Sequence, residues 1–212
     1  MFIKNILAIG AHFDDVELGV GGSLAKLSKE GKKIYKFTLT DDSYDSRLDE
    51  TIKVSKKSCK ILGIKQIDRK EYDICNNLEF SKKTMQEIEK IIKDFEIDTI
   101  FAHYYSDINQ DHTSASQISY VAGRYCRNIL FYQSNRYILP SDFYPRFFIN
   151  ITKTLNLKKK ALSLYAKQGA HDRNDRLFEE TINQNKVWGY QSSLSRKSEY
   201  AESFVVHKIS IS

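Results

Sequence analysis

The chain has 212 residues, 41% of them hydrophobic, which is enough to bury the core of one α/β domain and too many for a disordered chain. No apolar run approaches the roughly 20 residues of a membrane helix, and Met1 to Asn5 lack the parts of a signal peptide, so a cytoplasmic protein is expected. The formal net charge of +6 is spread over lysines, Lys36 and Lys158 to Lys160 among them, that mostly fall on presumed helix faces and read as solvated surface; there is no zinc-finger spacing or RNA-binding aromatic motif, which argues against nucleic acid and leaves attraction of an anionic small molecule as the alternative.

The first element is an apolar strand over about Asn5 to Ala11, broken at Gly10. A helix is predicted from near Glu17 to Lys29, carrying Leu18, Leu24, Ala25 and Leu27 and ending at Gly31. Gly19-Val20-Gly21-Gly22 lies inside it and does not match GxGxxG, so the glycines are expected to permit close packing and not to cradle a dinucleotide. Lys33 to Thr40 reads as strand two, ending in the polar run Thr40-Asp41-Asp42-Ser43. Leu48, Ile52, Cys59 and Leu62 keep helical spacing, with Ser55 between them and Gly63 as the stop. Gln66 to Asp73 is a weak third strand. Ser81 caps a helix with the stripe Met85, Ile88, Ile92 and Phe95. Thr99 to His103 is a short strand, followed by a polar loop from Tyr104 to Asp111 and a helix carrying Ala115, Ile118, Ala122 and Tyr125. Asn128 to Tyr132 is another strand. Beyond Pro140, Phe147 to Ile151 reads as extended, Thr152 to Lys167 and Asp175 to Val187 as helical, and Ala201 to Ile211 as a closing strand. Alternating strands and helices over the first two thirds predict an α/β fold with a mainly parallel, helix-covered sheet. Cys59, Cys75 and Cys126 form no CxxC pair and read as isolated thiols.

The chemistry gathers at the carboxyl end of the first strand. His12, Asp14, Asp15 and Glu17 fall within six residues, and such crowding calls for a cation. Strand ends of this kind are where open α/β sheets bind ligands. His12 and Asp15 are spaced as two ligands of one divalent ion, with Asp14 left beside it. His112, after a short apolar strand and at the start of a helix, is the best third ligand. Two histidines and one carboxylate with open positions make a catalytic arrangement that suits Zn²⁺ and also Fe²⁺. Asp111 is placed to orient His112 or a neighbouring group.

Ala11-His12-Phe13-Asp14-Asp15-Val16-Glu17 resembles the AHPDDxE motif of the LmbE-like, or PIG-L, family of zinc-dependent N-deacetylases, and Asp111-His112 resembles the end of its HPDH motif. Arg47-Leu48-Asp49-Glu50 with Leu62-Gly63, Phe147 to Ile151 with Lys158 to Gln168, and Tyr200 to Phe204 resemble its later segments. The resemblance implies a single Rossmann-like domain over the whole chain, with helices on both faces of the sheet. It implies that His12, Asp15 and His112 bind zinc, that Asp14 is the general base and that Arg47 contacts substrate. Phe13 departs from the family's proline. Asn109 stands where many members have a histidine and, on this reading, offers an amide to the oxyanion. His207 is a further candidate for holding substrate.

The expected activity is removal of the N-acetyl group from an N-acetylated amino sugar or its nucleotide-, lipid- or glycan-linked conjugate, by a protein able to form a homo-oligomer. Two alternatives stand beside it. One is metal-dependent hydrolysis of another amide, ester or phosphoester bond, for which Asp41, Asp42 and Asp107 are the only spare ligands for a second ion. The other is a carbohydrate-binding protein that has lost catalysis, suggested by Asn109 and opposed by an intact Asp14.

Overall fold

The computed structural model describes residues 3–40, 48–74, 78–134, 143–166, 171–192 and 198–210. Arg47, Asp41, Asp42 and Cys75 therefore lie outside the described residues.

Among the described residues, seven strands form one sheet: β1 (Asn5–Gly10), β2 (Lys33–Thr38), β3 (Lys65–Gln66), β4 (Thr99–His103), β5 (Asn128–Tyr132), β6 (Phe147–Asn150) and β7 (Ala201–Lys208), in the order β3-β2-β1-β4-β5-β7-β6. Pairing is parallel from β3 to β5. β7 runs antiparallel to both β5 and β6. The helices are α1 (Asp15–Lys29), α2 (Leu48–Leu62), α3 (Lys82–Asp94), α4 (Gln110–Ala122), α5 (Leu155–Ala166) and α6 (His171–Ser192).

The alternation of side chains along β1 divides the core in two. Leu7 and Ile9 face α3 and α4, packing with Ile88, Ile91, Ala115 and Ile118. Ile6 and Ala8 face α1, α2 and α5, packing with Val16, Val20, Cys59 and Ala161. Both sides of the sheet are thus covered, which is why β1 is buried at all six positions and reads as a continuous apolar run.

The stops agree with the residues that make them. Gly31 and Gly63 have φ of +81° and +72°, the left-handed conformation that ends a helix without a Cβ clash. Ser81 Oγ accepts from Thr84 N at 3.1 Å and caps α3. The glycines inside α1 serve packing: a Cβ on Gly19 would lie 2.1 Å from the Tyr132 ring, and one on Gly22 would lie 2.8 Å from Ile151 Cδ1.

Three expectations need correction. The third strand is only Lys65–Gln66, because Arg69–Glu71 forms a 3₁₀ turn in which the Asp68 side chain accepts from Lys70 N. Tyr125 is not on the apolar face of α4; that helix ends at Ala122, and Tyr125 is 85% exposed in the following turn. Lys36 and Lys158 are not surface charges, since both are wholly buried in ion pairs with Glu17 and Glu202. Cys59 and Cys126 are buried free thiols. Among the described residues no helix is long and apolar enough to cross a membrane.

Candidate active site

The strand order reverses between β1 and β4, and the crevice at their carboxyl ends is where such sheets hold ligands. The loop from Gly10 to Asp14 leaves β1 there, and His103 is the last residue of β4. The loop is fastened to β2's continuation: Leu39 N donates to Gly10 O, and Thr40 donates to Ala11 O through both its amide and its hydroxyl.

Asp14 takes the position just before α1, where a carboxylate ordinarily caps the helix. Here its side chain makes no capping bond, so it is not spent on structure. Burial, followed by the charges of Asp15 and Glu17, lifts its carboxyl to about 6. Asp15 opens α1, where the helix dipole favours an anion. Its Oδ2 accepts from His12 N at 2.7 Å. Burial alone would raise Asp15, but His103 and His112 hold it well below the usual carboxylate range.

Asp15 is ringed by three imidazoles. His12 Nδ1 lies 3.4 Å from Oδ2, His103 Nε2 lies 3.1 Å from Oδ2, and His112 Nε2 lies 3.3 Å from Oδ1. The other nitrogen of two of these rings is claimed by a separate carboxylate. Asp111 Oδ2 lies 3.1 Å from His12 Nε2, and Asp107 Oδ2 lies 3.0 Å from His112 Nδ1. With Nε2–H of His12 given to Asp111 and Nδ1–H of His112 given to Asp107, the remaining nitrogen of each ring faces Asp15 as a lone pair. Burial alone would lower His112, but Asp15 and Asp107 on either side outweigh it and raise the ring to about 10. A cation and the second proton therefore compete for the same nitrogen.

His12, Asp15 and His112 offer ligand atoms that all lie within 4.8 Å of one another, and His112 Nε2 is buried without a hydrogen-bond partner. That donor set fits a divalent ion. A second grouping, His103, Asp107 and His112, meets the same distance limit but is enclosed, with side chains 0%, 7% and 0% exposed. His12, 21% exposed, gives the first grouping an opening to solvent, which a catalytic ion requires.

His103 was not singled out from sequence, although it ends an apolar strand as His12 nearly does. Burial keeps this ring neutral against the pull of Asp15. It stacks on His112 at 4.1 Å and 18°. Its Nε2 accepts from Ala11 N at 3.1 Å and lies 3.1 Å from Asp15 Oδ2, so one ring nitrogen ties the loop after β1 to the carboxylate that opens α1.

The other sequence candidates divide. Asn109 caps α4, its Oδ1 accepting from Asp111 N at 2.8 Å and His112 N at 3.4 Å. This leaves only its amide hydrogens for a ligand. Asp111 sits beside His112 in sequence but is paired with His12. His207 is not brought to the site. β7 is antiparallel to β5, with Lys208 opposite Ile129 and Val206 opposite Leu130, so His207 lies level with the amino end of β5. There its exposed ring meets the edge of Tyr120 at 4.7 Å, about 12 Å along α4 from His112 at 1.5 Å per residue.

Comparison with known proteins agrees with the resemblance read from the motifs. Residues 7–122 match the model of the PIG-L family, GlcNAc-PI de-N-acetylase. The uncharacterized deacetylase YaiS of Escherichia coli K12 is 36% identical over 139 residues, covering 62% of this chain and 74% of that protein. Among solved structures, N,N'-diacetylchitobiose deacetylase from Pyrococcus horikoshii superposes with a TM-score of 0.78 at 19% identity, covering 96% of this chain and 84% of that one. GalB, the 4-carboxy-2-hydroxymuconate hydratase of Pseudomonas putida KT2440, reaches 0.81 at 17% identity, covering 99% and 98%. These two likenesses concern the fold, whereas the family match spans more than half of the sequence: the chain belongs to the PIG-L family.

Proposed function

We propose that this protein is a zinc-dependent hydrolase that removes the acetyl group from an N-acetylated amino sugar or its conjugate. The observation that carries the reading is the pairing of His12 with Asp111 and of His112 with Asp107, which turns one nitrogen of each ring toward Asp15 while Asp14 stands beside them uncommitted. His12, Asp15 and His112 would hold the ion, and Fe²⁺ remains compatible with the same donors. When bound, the ion supplies Lewis acidity toward the amide carbonyl and toward water. Asp14, near 6, is matched to take the proton of the attacking water and return it to the leaving nitrogen. Asn109 keeps its amide hydrogens available for the developing oxyanion. Arg47, where the family contacts substrate, is assigned the sugar side of the pocket by resemblance.

The substrate class draws support from the family description and from the Pyrococcus protein, named for diacetylchitobiose. The fold by itself does not select the reaction, since GalB carries it and is named a hydratase. Zinc analysis together with acetate release from a panel of N-acetylglucosamine conjugates tests the reading. One zinc per chain and stoichiometric acetate are expected. Zinc-loaded protein that releases no acetate but hydrates an unsaturated acid would transfer it to the other chemistry.

A further inference from the structure

The peptide that carries Asp14 is gripped from behind by side chains that take no part in the chemistry above. The carbonyl oxygen of Phe13 accepts from the Lys36 ammonium and, at 2.8 Å, from the Tyr165 hydroxyl. Lys36 belongs to β2 and Tyr165 to α5, and both are buried, Lys36 completely. Glu17 lies behind them, also completely buried. Its carboxylate accepts from Lys36 at 2.7 and 2.8 Å and from Ser58 at 2.7 Å. Ser55 Oγ lies 2.9 Å from the ammonium. An ammonium has three protons, which Phe13 O, Glu17, Ser55 and, at 3.3 Å, the Tyr165 hydroxyl share.

A buried ion pair is a poor way to fill space, because well-packed apolar residues of the same volume do as well or better. What this one accomplishes is the orientation of a single peptide. The Phe13 carbonyl and the Asp14 amide share one rigid plane. With two donors on the oxygen, the plane cannot turn without breaking two buried hydrogen bonds. Phe13 is not a proline, so no ring closure restrains the loop at this point. Asp14 O in turn accepts from Leu18 N at 2.9 Å, so the backbone is held on both sides of the Asp14 side chain.

We propose that Lys36 and Tyr165, organised by Glu17, are positioning residues that set the Asp14 carboxylate through the Phe13–Asp14 peptide. This rests on the reading of Asp14 as the proton carrier. Two variants test it. Tyr165→Phe removes one donor and keeps the ring. Lys36→Met combined with Glu17→Gln removes the ion pair without leaving a lone buried charge. Each is assayed for zinc content, for kcat and KM in acetate release, and by crystallography of the loop. Zinc content should stay at the wild-type level and KM within about twofold, while kcat falls by about 10-fold in Tyr165→Phe and about 100-fold in the double variant, the scale of a 1 Å misplacement. The Asp14 carboxylate should be displaced in both crystals. An unchanged kcat, a fall in kcat that tracks zinc loss, or an unmoved carboxylate overturns the proposal. If the wild-type protein releases no acetate from any conjugate, the deacetylase reading fails separately. The crystals then decide the clamp alone: a displaced carboxylate supports it and an unmoved one overturns it.

Discussion

Asp107→Asn isolates the role of the carboxylate behind His112. Asp107 does two jobs: Oδ1 accepts from Asn109 N at 2.9 Å, shaping the loop before α4, and Oδ2 takes the His112 Nδ1 proton at 3.0 Å. An asparagine oxygen can keep the first bond, so the loop should survive. The second position then presents an amide, which is neutral and a weaker partner for the ring. His112 is fully buried and sits between Asp15 at Nε2 and Asp107 at Nδ1, so the substitution removes the charge that favours a donor on Nδ1 and with it a lone pair on Nε2. Groups in that position are ordinarily worth about 10- to 100-fold in metal affinity. That corresponds to about 1.4–2.8 kcal/mol at 25 °C. Competition with a chromophoric chelator measures the zinc dissociation constant directly, and circular dichroism checks that the fold is retained. A folded Asp107→Asn protein with wild-type zinc affinity would refute the reasoning, since it would mean that His112 does not meet the ion through Nε2.

Asp14→Asn should keep about one zinc per chain and lose roughly 10²- to 10⁴-fold in turnover, the usual worth of a positioned acid–base group. Its pH profile supplies the sign: a base must be ionised, Asp14 is raised to about 6 and a nearby cation pulls it back down, so kcat/KM should fall as pH drops through a midpoint at or below about 6, and this limb should be absent from the variant. Asp15→Asn should lose zinc before anything else, which elemental analysis after dialysis would reveal; retention of a full equivalent would exchange the roles of the two aspartates. His207→Ala should leave kcat and KM within about twofold of wild type, because the ring lies at the amino end of β5; a KM effect beyond tenfold would bring it back to the site.

Much of the fold was legible because its signals are local. Apolar runs marked β1, β4 and β5, glycines with positive φ stopped α1 and α2, and Ser81 opened α3. The short β3 was not, since its weak apolar pattern competes with the turn that Asp68 stabilises. In the site, His12 and Asp15 could be named because carboxylate crowding is visible in a window of six residues, and His112 because it follows an apolar strand at the start of a helix. The partners that orient them were harder to see. Asp111 adjoins His112 in sequence, yet the start of α4 turns it toward His12, 99 residues away. His207 misled for the opposite reason: a histidine in a closing strand carries no mark of which way that strand runs, and antiparallel pairing places it level with the amino half of β5, away from the strand ends that carry the site.

The lysines show the same limit and also what it conceals. Lys36 interrupts an otherwise apolar strand, and Lys158 stands in a run of three lysines on a helix; by composition both read as surface. Each instead ends on a backbone carbonyl next to the site. Lys36 reaches Phe13 O, while Lys158 reaches Leu18 O at 2.6 Å and pairs with Glu202, whose carboxylate accepts from Gly22 N and Ser23 N at 3.0 and 2.7 Å. One ion pair therefore secures the loop before α1 and the other secures the middle of α1, the helix whose first turn carries Asp15. Burial lowers the Lys158 pKa against the opposing pull of Glu202, so this arrangement works against the ordinary solvation preference of a lysine. Two desolvated cations gripping one short segment are poorly explained by stability alone, since apolar packing would serve as well there. They are explained by the geometry required a few residues away, where the adjacent Asp14 and Asp15 carboxylates are both buried and the charge of Asp15 opposes that of Asp14.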